Sequence, residues 1–284
     1  MEVVHDLGRW RDAARATRAR ERTVGLVPTM GALHAGHLSL VRAARERGDV
    51  VFLTIFVNPR QFGDAADLAR YPRTLDVDQR LAESAGVDVL VVPTLDEMWP
   101  DYPRDTMTSV HVAGLGDVLE GEGRPGHFTG VASVVAKLFA VTGPCRAYFG
   151  QKDFQQVAVV RQMVRDLALP VEVLDAPVVR DADGLALSSR NERLSSEGRA
   201  NALALSRAIH AAARTRGPAS VLRDVLRAEL ARAKVEVAYA EIVDPMTLRP
   251  LGDDARGVAR ALVAGVVEGV RLIDNGPVTL DQGE

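Results

Sequence analysis

Short apolar runs alternate with helical patterns through the first part of the chain. Residues 23–27 (TVGLV) read as a buried strand and 37–47 as the helix that follows. Residues 50–57 (VVFLTIFV) are β-branched, aromatic and unalternated, as a strand covered on both faces should be. Residues 75–85 read as a helix and 87–92 (VDVLVV) as another buried strand. Val131, Val134, Val135, Leu138 and Phe139 fall at i, i+3, i+4, i+7 and i+8, one face of an amphipathic helix. Residues 146–149 read as a short strand, and 155–169 as a helix closed by Pro170. Strands alternating with helices of this length predict βαβ units and a parallel sheet.

The pattern changes after Ala176. Two helices, 195–215 and 219–232, are parted by Gly217-Pro218, and three strand-like runs follow at 235–243, 257–267 and 269–273. Helices followed by strands predict a small α+β domain. The boundary is set at Ala176-Pro177, giving a larger α/β domain over 1–176 and a smaller α+β domain over 177–284.

Composition narrows the function classes without choosing one. A chain of 284 residues with 47% hydrophobic content can fill a core without disulfides or a structural metal. Its one cysteine, Cys145, excludes a disulfide framework and a Cys-based zinc ribbon. With 35 Lys+Arg against 38 Asp+Glu, the net charge of −3 argues against a protein that coats nucleic acid. The apolar run 261–270 is broken by Glu268 and flanked by Arg260 and Arg271, whereas a membrane span needs roughly 20 apolar residues. No charged-then-apolar leader follows Met1. The expectation is a soluble cytoplasmic protein with neither membrane nor nucleic-acid partners. The arginines of the first 22 residues read as the solvated face of a helix.

The segment Pro28-Thr29-Met30-Gly31-Ala32-Leu33-His34-Ala35-Gly36-His37 leaves the first strand and enters the first helix. In open parallel sheets ligands bind at the carboxyl ends of strands, and a helix start there offers N–H groups and positive dipole to an anion. Gly31 and Gly36 would admit a phosphate close to the backbone. His34 and His37, three residues apart, can both donate to it. Two surface histidines near a turn, or a metal pair, are the alternatives; no carboxylate or cysteine nearby in sequence completes a metal site.

Three further clusters sit at comparable places. Gly150-Gln151-Lys152-Asp153 ends a strand. Lys152 suits a polyphosphate as a mobile point charge, Asp153 could sit on Mg²⁺ as a hard oxygen ligand, and Gln156 lies one turn on. An ordinary capped helix with a solvated Lys–Asp pair reads equally well. Leu187-Ser188-Ser189-Arg190 could clamp a phosphate or simply cap a turn. Asn58 and Gln61 follow the most apolar strand, and Asp76 and Asp78 enter the next helix; for all four, loop and capping use is the alternative. The stretch 121–126 matches G-x-G-x-x-G, but no good strand precedes it and Pro125 lacks an N–H, so it is rejected as a dinucleotide site. No GxxxxGK[ST] occurs, so the chain is not a P-loop protein.

Taken in order, PTMGALHxGH, NPxQF, YPRT, RPGHFxGV, FGxKDxQQ and GLALSSRN resemble the pantothenate synthetases (pantoate–β-alanine ligases) of the HxGH nucleotidyltransferase superfamily. The resemblance continues through 239–248 (YAEIVDPMTL), with Ser133 in place of a frequent Thr and an acidic 120–122 before RPGHF. It implies an N-terminal Rossmann-like domain that binds nucleotide and pantoate, with a C-terminal lid domain. It also implies a cytoplasmic, Mg²⁺-dependent homodimer serving pantothenate biosynthesis. The implied reaction joins pantoate to β-alanine through a pantoyl-adenylate, with ATP as co-substrate and AMP and pyrophosphate released. Carried over by motif, Met30 through His37 line the ATP site, with His34 and His37 on the phosphates and His37 the proton donor. Gly150, Gln151, Lys152 and Asp153 hold ATP, and Lys152 neutralises the phosphates. Val179 touches the nucleotide, and Leu187, Ser188, Ser189 and Arg190 close over the triphosphate. Gln61 contacts pantoate and β-alanine, Gln156 contacts pantoate, and Asn58 and Arg124 are further substrate contacts. The metal's ligands are not implied. A nucleotidyltransferase that stops at nucleotide transfer would want a basic acceptor site instead of neutral Gln61 and Gln156. An idle nucleotide-binding module would have lost some of His34, His37, Lys152, Asp153 and Arg190.

Overall fold

The structure, a computed structural model, describes residues 1–281. The chain divides into two compact units: Met1–Gln151 with Gln155–Pro177, and Lys152–Phe154 with everything from Val178 onward. No helix among the described residues is long and apolar enough to cross a membrane.

The first unit is a Rossmann-like α/β layer structure. Its strands are β1 (Glu2–Val4), β2 (Val24–Thr29), β3 (Val50–Ile55), β4 (Val89–Val91), β5 (Cys145–Gly150) and β6 (Val171–Ala176). They form one sheet in the order β1-β4-β3-β2-β5-β6, with every pairing parallel. Between them run α1 (Leu7–Ala19), α2 (Ala35–Glu46), α3 (Ala65–Arg70), α4 (Leu75–Ser84), α5 (Leu95–Met98), α6 (Glu120–Gly123), α7 (His127–Thr142) and α8 (Phe154–Asp166). The alternating pattern of the sequence is borne out, and α7 buries Val131, Val134, Val135, Leu138 and Phe139 as the spacing requires. In α1, Asp6 caps Arg9 N while Trp10 and Ala14 turn inward, leaving most of its arginines on the exposed face. The apolar pattern does not anticipate strands β1 and β6. The first is three residues long, and the second mixes Glu172 and Asp175 among its apolar residues, as suits a half-exposed edge.

From β2 the chain builds outward through β3 and β4 on one side, then returns to build β5 and β6 on the other. The order therefore reverses between β2 and β5, and because the strands are parallel their carboxyl ends share one edge. Ligands of such sheets bind at this switch point. Beneath it Val27, Leu53, Leu90 and Tyr148 pack with Leu40, Val41 and Ala44 of α2. Each fully buried large apolar side chain contributes about 1.5–3 kcal/mol, so the sheet is a rigid platform for the loops at its edge.

The second unit comprises α9 (Ser196–Arg214), α10 (Ala219–Leu230) and an antiparallel sheet, β7 (Glu236–Val243), β8 (Gly257–Val267) and β9 (Val270–Leu280), in that order. Leu205, Ile209, Leu222 and Leu226 of the helices pack on Ile242, Val263 and Val278. The sequence reading ends the last strand at residue 273, because Asp274-Asn275-Gly276-Pro277 carries turn signals. The strand instead runs to Leu280. Pro277 is tolerated because β9 is an edge strand, and Asp274 and Asn275 are buried with partners described below.

Candidate active site

The HxGH segment leaves β2 at the switch point and folds as a helix start capped by its own histidines. His34 is the N-cap of α2, and its Nδ1 accepts from Gly36 N at 3.2 Å. His37, three residues on, accepts from His34 N at its own Nδ1, at 3.3 Å. This is a capping box with imidazoles where Ser and Glu commonly serve. A backbone N–H can only donate, so both Nδ1 atoms act as acceptors and the ring hydrogen of each neutral histidine sits on Nε2. The rings lie 4.1 Å apart between centroids, tilted by 31°. Gly36 is required by this packing: a Cβ there would lie 2.9 Å from His34 Cε1 and 3.0 Å from its Nδ1.

Just upstream the backbone turns through two left-handed residues, Gly31 (φ 81°) and Ala32 (φ 49°). The turn is clamped by Asp78 of α4, whose carboxylate accepts from Ala32 N at 2.9 Å, Leu33 N at 2.7 Å and Thr74 Oγ1 at 3.1 Å. Asp78 is almost fully buried. By sequence it reads as a loop or capping residue; it is instead the anchor of the HxGH turn. The backbone donors expected here for an anion are thus largely taken. Ala32, Leu33, His34 and Gly36 all donate their N–H to protein side chains, and the imidazole Nε2–H groups are further donors this segment carries.

After β3, Asn58 caps the short turn Pro59–Gln61. Trp99 Nε1 donates to Asn58 Oδ1 at 3.0 Å, which turns the Asn58 amide nitrogen toward Gln61 Oε1 (3.0 Å) and Gly130 O (3.1 Å). Oδ1 also accepts from Arg60 N. Asn58 is buried with both ends of its amide fully used. Asn58 thus holds Gln61 in place through its amide nitrogen. Gln61 is itself buried, and its Nε2 donates to Met30 Sδ at 3.1 Å. Arg124 can only donate, so His127 Nε2 accepts from it (3.3 Å) and His127 Nδ1–H donates to Gln61 O at 2.8 Å. Arg124 Nη2 reaches the same carbonyl. Gly130 lets α7 lie against this turn, since a Cβ would come 2.2 Å from Arg60 O. His127 and Gly130 stand in the RPGHFxGV motif, which is the sequence signal available for them. On α8, Gln155 is buried and holds the loop before α6 by donating to Leu115 O and Val118 O. Gln156, next on the helix, is half-buried. The rejected G-x-G-x-x-G stretch lies in α6 and the following loop, with no strand before it.

The remaining candidates belong to the second unit. Lys152 sits on the turn after β5, its side chain 21% exposed and 3.4 Å from the Asp153 carboxylate. Val179 and Leu187 face each other across a small hairpin, Leu187 N donating to Val179 O at 3.0 Å. Ser188 Oγ caps the turn Ser189–Arg193 by accepting from Arg190 N. Arg199 grips Asp181 and Asp183 at the hairpin's outer end and pulls the Asp183 carboxyl below its ordinary range. Cys145 is buried, and burial pushes its thiol up to about 12, so it is no nucleophile at neutral pH. Among the described residues no group of three or more His, Cys, Asp or Glu is arranged to hold a metal ion.

The profile of the family described as pantoate-beta-alanine ligase matches residues 2–277. The chain is 54% identical over 275 residues to the pantothenate synthetase of Thermobifida fusca, covering 93% of each. It is 49% identical over 280 residues to that of Moorella thermoacetica, covering 97% of this chain and 98% of the relative. The crystal structure of pantothenate synthetase from Thermus thermophilus superposes with a TM-score of 0.89 at 46% identity, covering 97% of this chain and 99% of that one. A pantoate-beta-alanine ligase from Francisella tularensis, complexed with beta-gamma ATP and beta-alanine, superposes with a TM-score of 0.80 at 31% identity, covering 97% of each.

Proposed function

The chain belongs to the pantoate–β-alanine ligase family, and from that premise we propose how its own residues carry the reaction. It is an ATP-dependent ligase that joins pantoate to β-alanine. A carboxylate is a poor acyl donor until its oxygen becomes part of a good leaving group. In the first step a pantoate carboxylate oxygen attacks the α-phosphorus of ATP, and the bond from that phosphorus to the bridging oxygen breaks. Pyrophosphate leaves with the electron pair. In the second step the β-alanine amine attacks the acyl carbon of the adenylate and loses a proton, and AMP departs as the amide forms.

The observation that carries this reading is the pair of Nδ1 acceptors in the HxGH cap. It fixes two Nε2–H donors at the sheet's switch point, where the phosphates of a nucleotide can be met by hydrogen bonds that need no reorganisation. His34 and His37 act on the phosphates, and His37 supplies the proton-donating contact. Met30 to Leu33, Ala35 and Gly36 shape the nucleotide side of the turn, with Gly150, Gln151 and Asp153 at the end of β5. From the second unit Lys152 neutralises the departing pyrophosphate. Val179 touches the nucleotide, and Leu187, Ser188, Ser189 and Arg190 bind the triphosphate. That unit's role as a lid, with the boundary at Ala176-Pro177, is part of the same proposal. Gln61 Nε2 donates to pantoate and later orients β-alanine, Gln156 binds pantoate, and Asn58 and Arg124 are further substrate contacts beside Gln61. ATP enters as its Mg²⁺ complex. The half-exposed Asp153 carboxylate is a hard oxygen donor of the kind Mg²⁺ takes in ones or twos beside substrate phosphates. A cytoplasmic homodimer completes the proposal, on the family resemblance.

Pantoate-dependent exchange of labelled pyrophosphate into ATP, with Mg²⁺ and no β-alanine, tests the first step. Exchange is expected only when pantoate is present; its absence in folded, ATP-binding protein would refute the adenylate. Gln61→Ala is expected to raise KM for pantoate about tenfold, as the loss of a hydrogen bond to a charged group does, with KM for ATP unchanged. Steady-state kinetics in each substrate check it, and a defect confined to ATP contradicts the role.

A further inference from the structure

We propose that Asn275, with Arg260 behind it, is a positioning residue for Lys152. The inference rests on the role given above to Lys152, and all the residues involved belong to the second unit. Asn275 Nδ2 donates to the backbone carbonyl of Lys152 at 2.9 Å. The Asn275 Oδ1 accepts from Arg260 Nε at 2.9 Å and from Nη2 as well. A guanidinium has no acceptor, so it fixes the polarity of the amide: Oδ1 must face Arg260, and Nδ2 is the end left for the lysine carbonyl. The same guanidinium lies 4.3 Å from the centroid of the Phe154 ring, two residues beyond Lys152, within the range of a cation–π contact. Arg260 and Asn275 are both buried, where such contacts gain strength from the low dielectric.

The neighbouring residue extends the junction. Asp274 takes Arg180 in a two-pronged ion pair, Nη1 at 2.6 Å and Nη2 at 2.9 Å, and accepts from Asn275 N at 2.7 Å. Arg180 stands beside Val179 in the hairpin that leads to Ser188 and Arg190, and it bridges to Ala186 across that hairpin. One dipeptide of β9 therefore fixes both phosphate-handling segments of this unit, the lysine turn through Asn275 and the Ser188–Arg190 approach through Asp274. A lysine on a flexible four-carbon stem is useful only if its backbone is fixed. The turn after β5 is a short 3-10 helix, and Asn275 ties its Lys152 carbonyl to β9.

Asn275→Asp tests this, because it keeps the size and the acceptor for Arg260 but puts an acceptor against the Lys152 carbonyl. Pantoate-dependent pyrophosphate exchange is expected to slow roughly ten- to a hundredfold, as a displacement near 1 Å would cause. KM for pantoate and the rate at which supplied pantoyl-adenylate reacts with β-alanine are expected to stay at wild-type values, while the melting temperature falls by a few degrees with the buried bond. In a Lys152→Ala background the substitution is expected to add nothing. Exchange at the wild-type rate, equal slowing of both half-reactions, or additive losses in the double variant would each overturn the inference. If Lys152→Ala itself leaves exchange intact, the role of the lysine falls and this inference with it. A slow Lys152→Ala beside a normal Asn275→Asp refutes the inference alone. Should Asn275→Asp fail to fold, Asn275→Ser goes through the same cycle with the same outcomes.

Discussion

Lys152→Ala is expected to slow adenylation by about two to three orders of magnitude, the usual cost of deleting one preorganised stabiliser of developing charge. As the bond from the α-phosphorus breaks, negative charge accumulates on the departing pyrophosphate. An ammonium ion is a compact charge suited to it. The side chain is only 21% exposed, so water screens it less than at a surface and its field on the phosphates is stronger. The fold should not suffer. The ammonium pairs with the half-exposed Asp153 carboxylate at 3.4 Å, and such pairs contribute about 0–1 kcal/mol. The contacts that fix this turn go to the Lys152 carbonyl and the Phe154 ring, which alanine at 152 leaves in place. Pyrophosphate exchange and a thermal melt on the same sample decide the matter. Near-normal exchange would remove Lys152 from the chemistry, and a collapsed melting temperature would make it structural.

What the sequence makes legible, and what it hides, follow from the range of the interactions. Strand-turn-helix order and the HxGH residues are local, so the place of the HxGH turn at the end of β2 can be read directly. Gln61 is marked by its position after the most apolar strand. Asp78 escapes because its partners, Ala32 and Leu33, lie some forty-five residues away in the chain, and an acid near a helix start reads as a cap. Likewise nothing local to Asn58 reveals that Trp99, Gly130 and Gln61 share its amide. The end of β9 is cut short for a related reason. Asp-Asn-Gly-Pro is a turn by local preference, and only its long-range partners Arg180, Arg260 and Lys152 show why it is a buried strand. In each case local chemistry proposes one use for a polar side chain, and a tertiary partner supplies another.

His37→Ala is expected to lower the adenylation rate by about two to three orders of magnitude, and Gly36→Ala by roughly ten- to a hundredfold through a different route. The two separate a missing donor from a misaimed one. Removing the His37 ring deletes one Nε2–H from the phosphate site and also strips His34 N of its acceptor. Losing that arm of the cap costs about 0.5–2 kcal/mol of stability, so a modest fall in melting temperature accompanies the kinetic loss. Gly36→Ala keeps both imidazoles. Its added methyl would lie 2.9 Å from His34 Cε1, so the ring must swing away from the helix start and give up the bond from residue 36 N. Alanine is a better helix former than glycine, which offsets the lost cap, and the melting temperature should barely move. His34 would still be present and protonated on one nitrogen, but no longer aimed with its neighbour. Wild-type exchange in Gly36→Ala would mean that the paired geometry of the rings is incidental. A rate between those of wild type and His37→Ala, at unchanged stability, is what two donors held by one cap require.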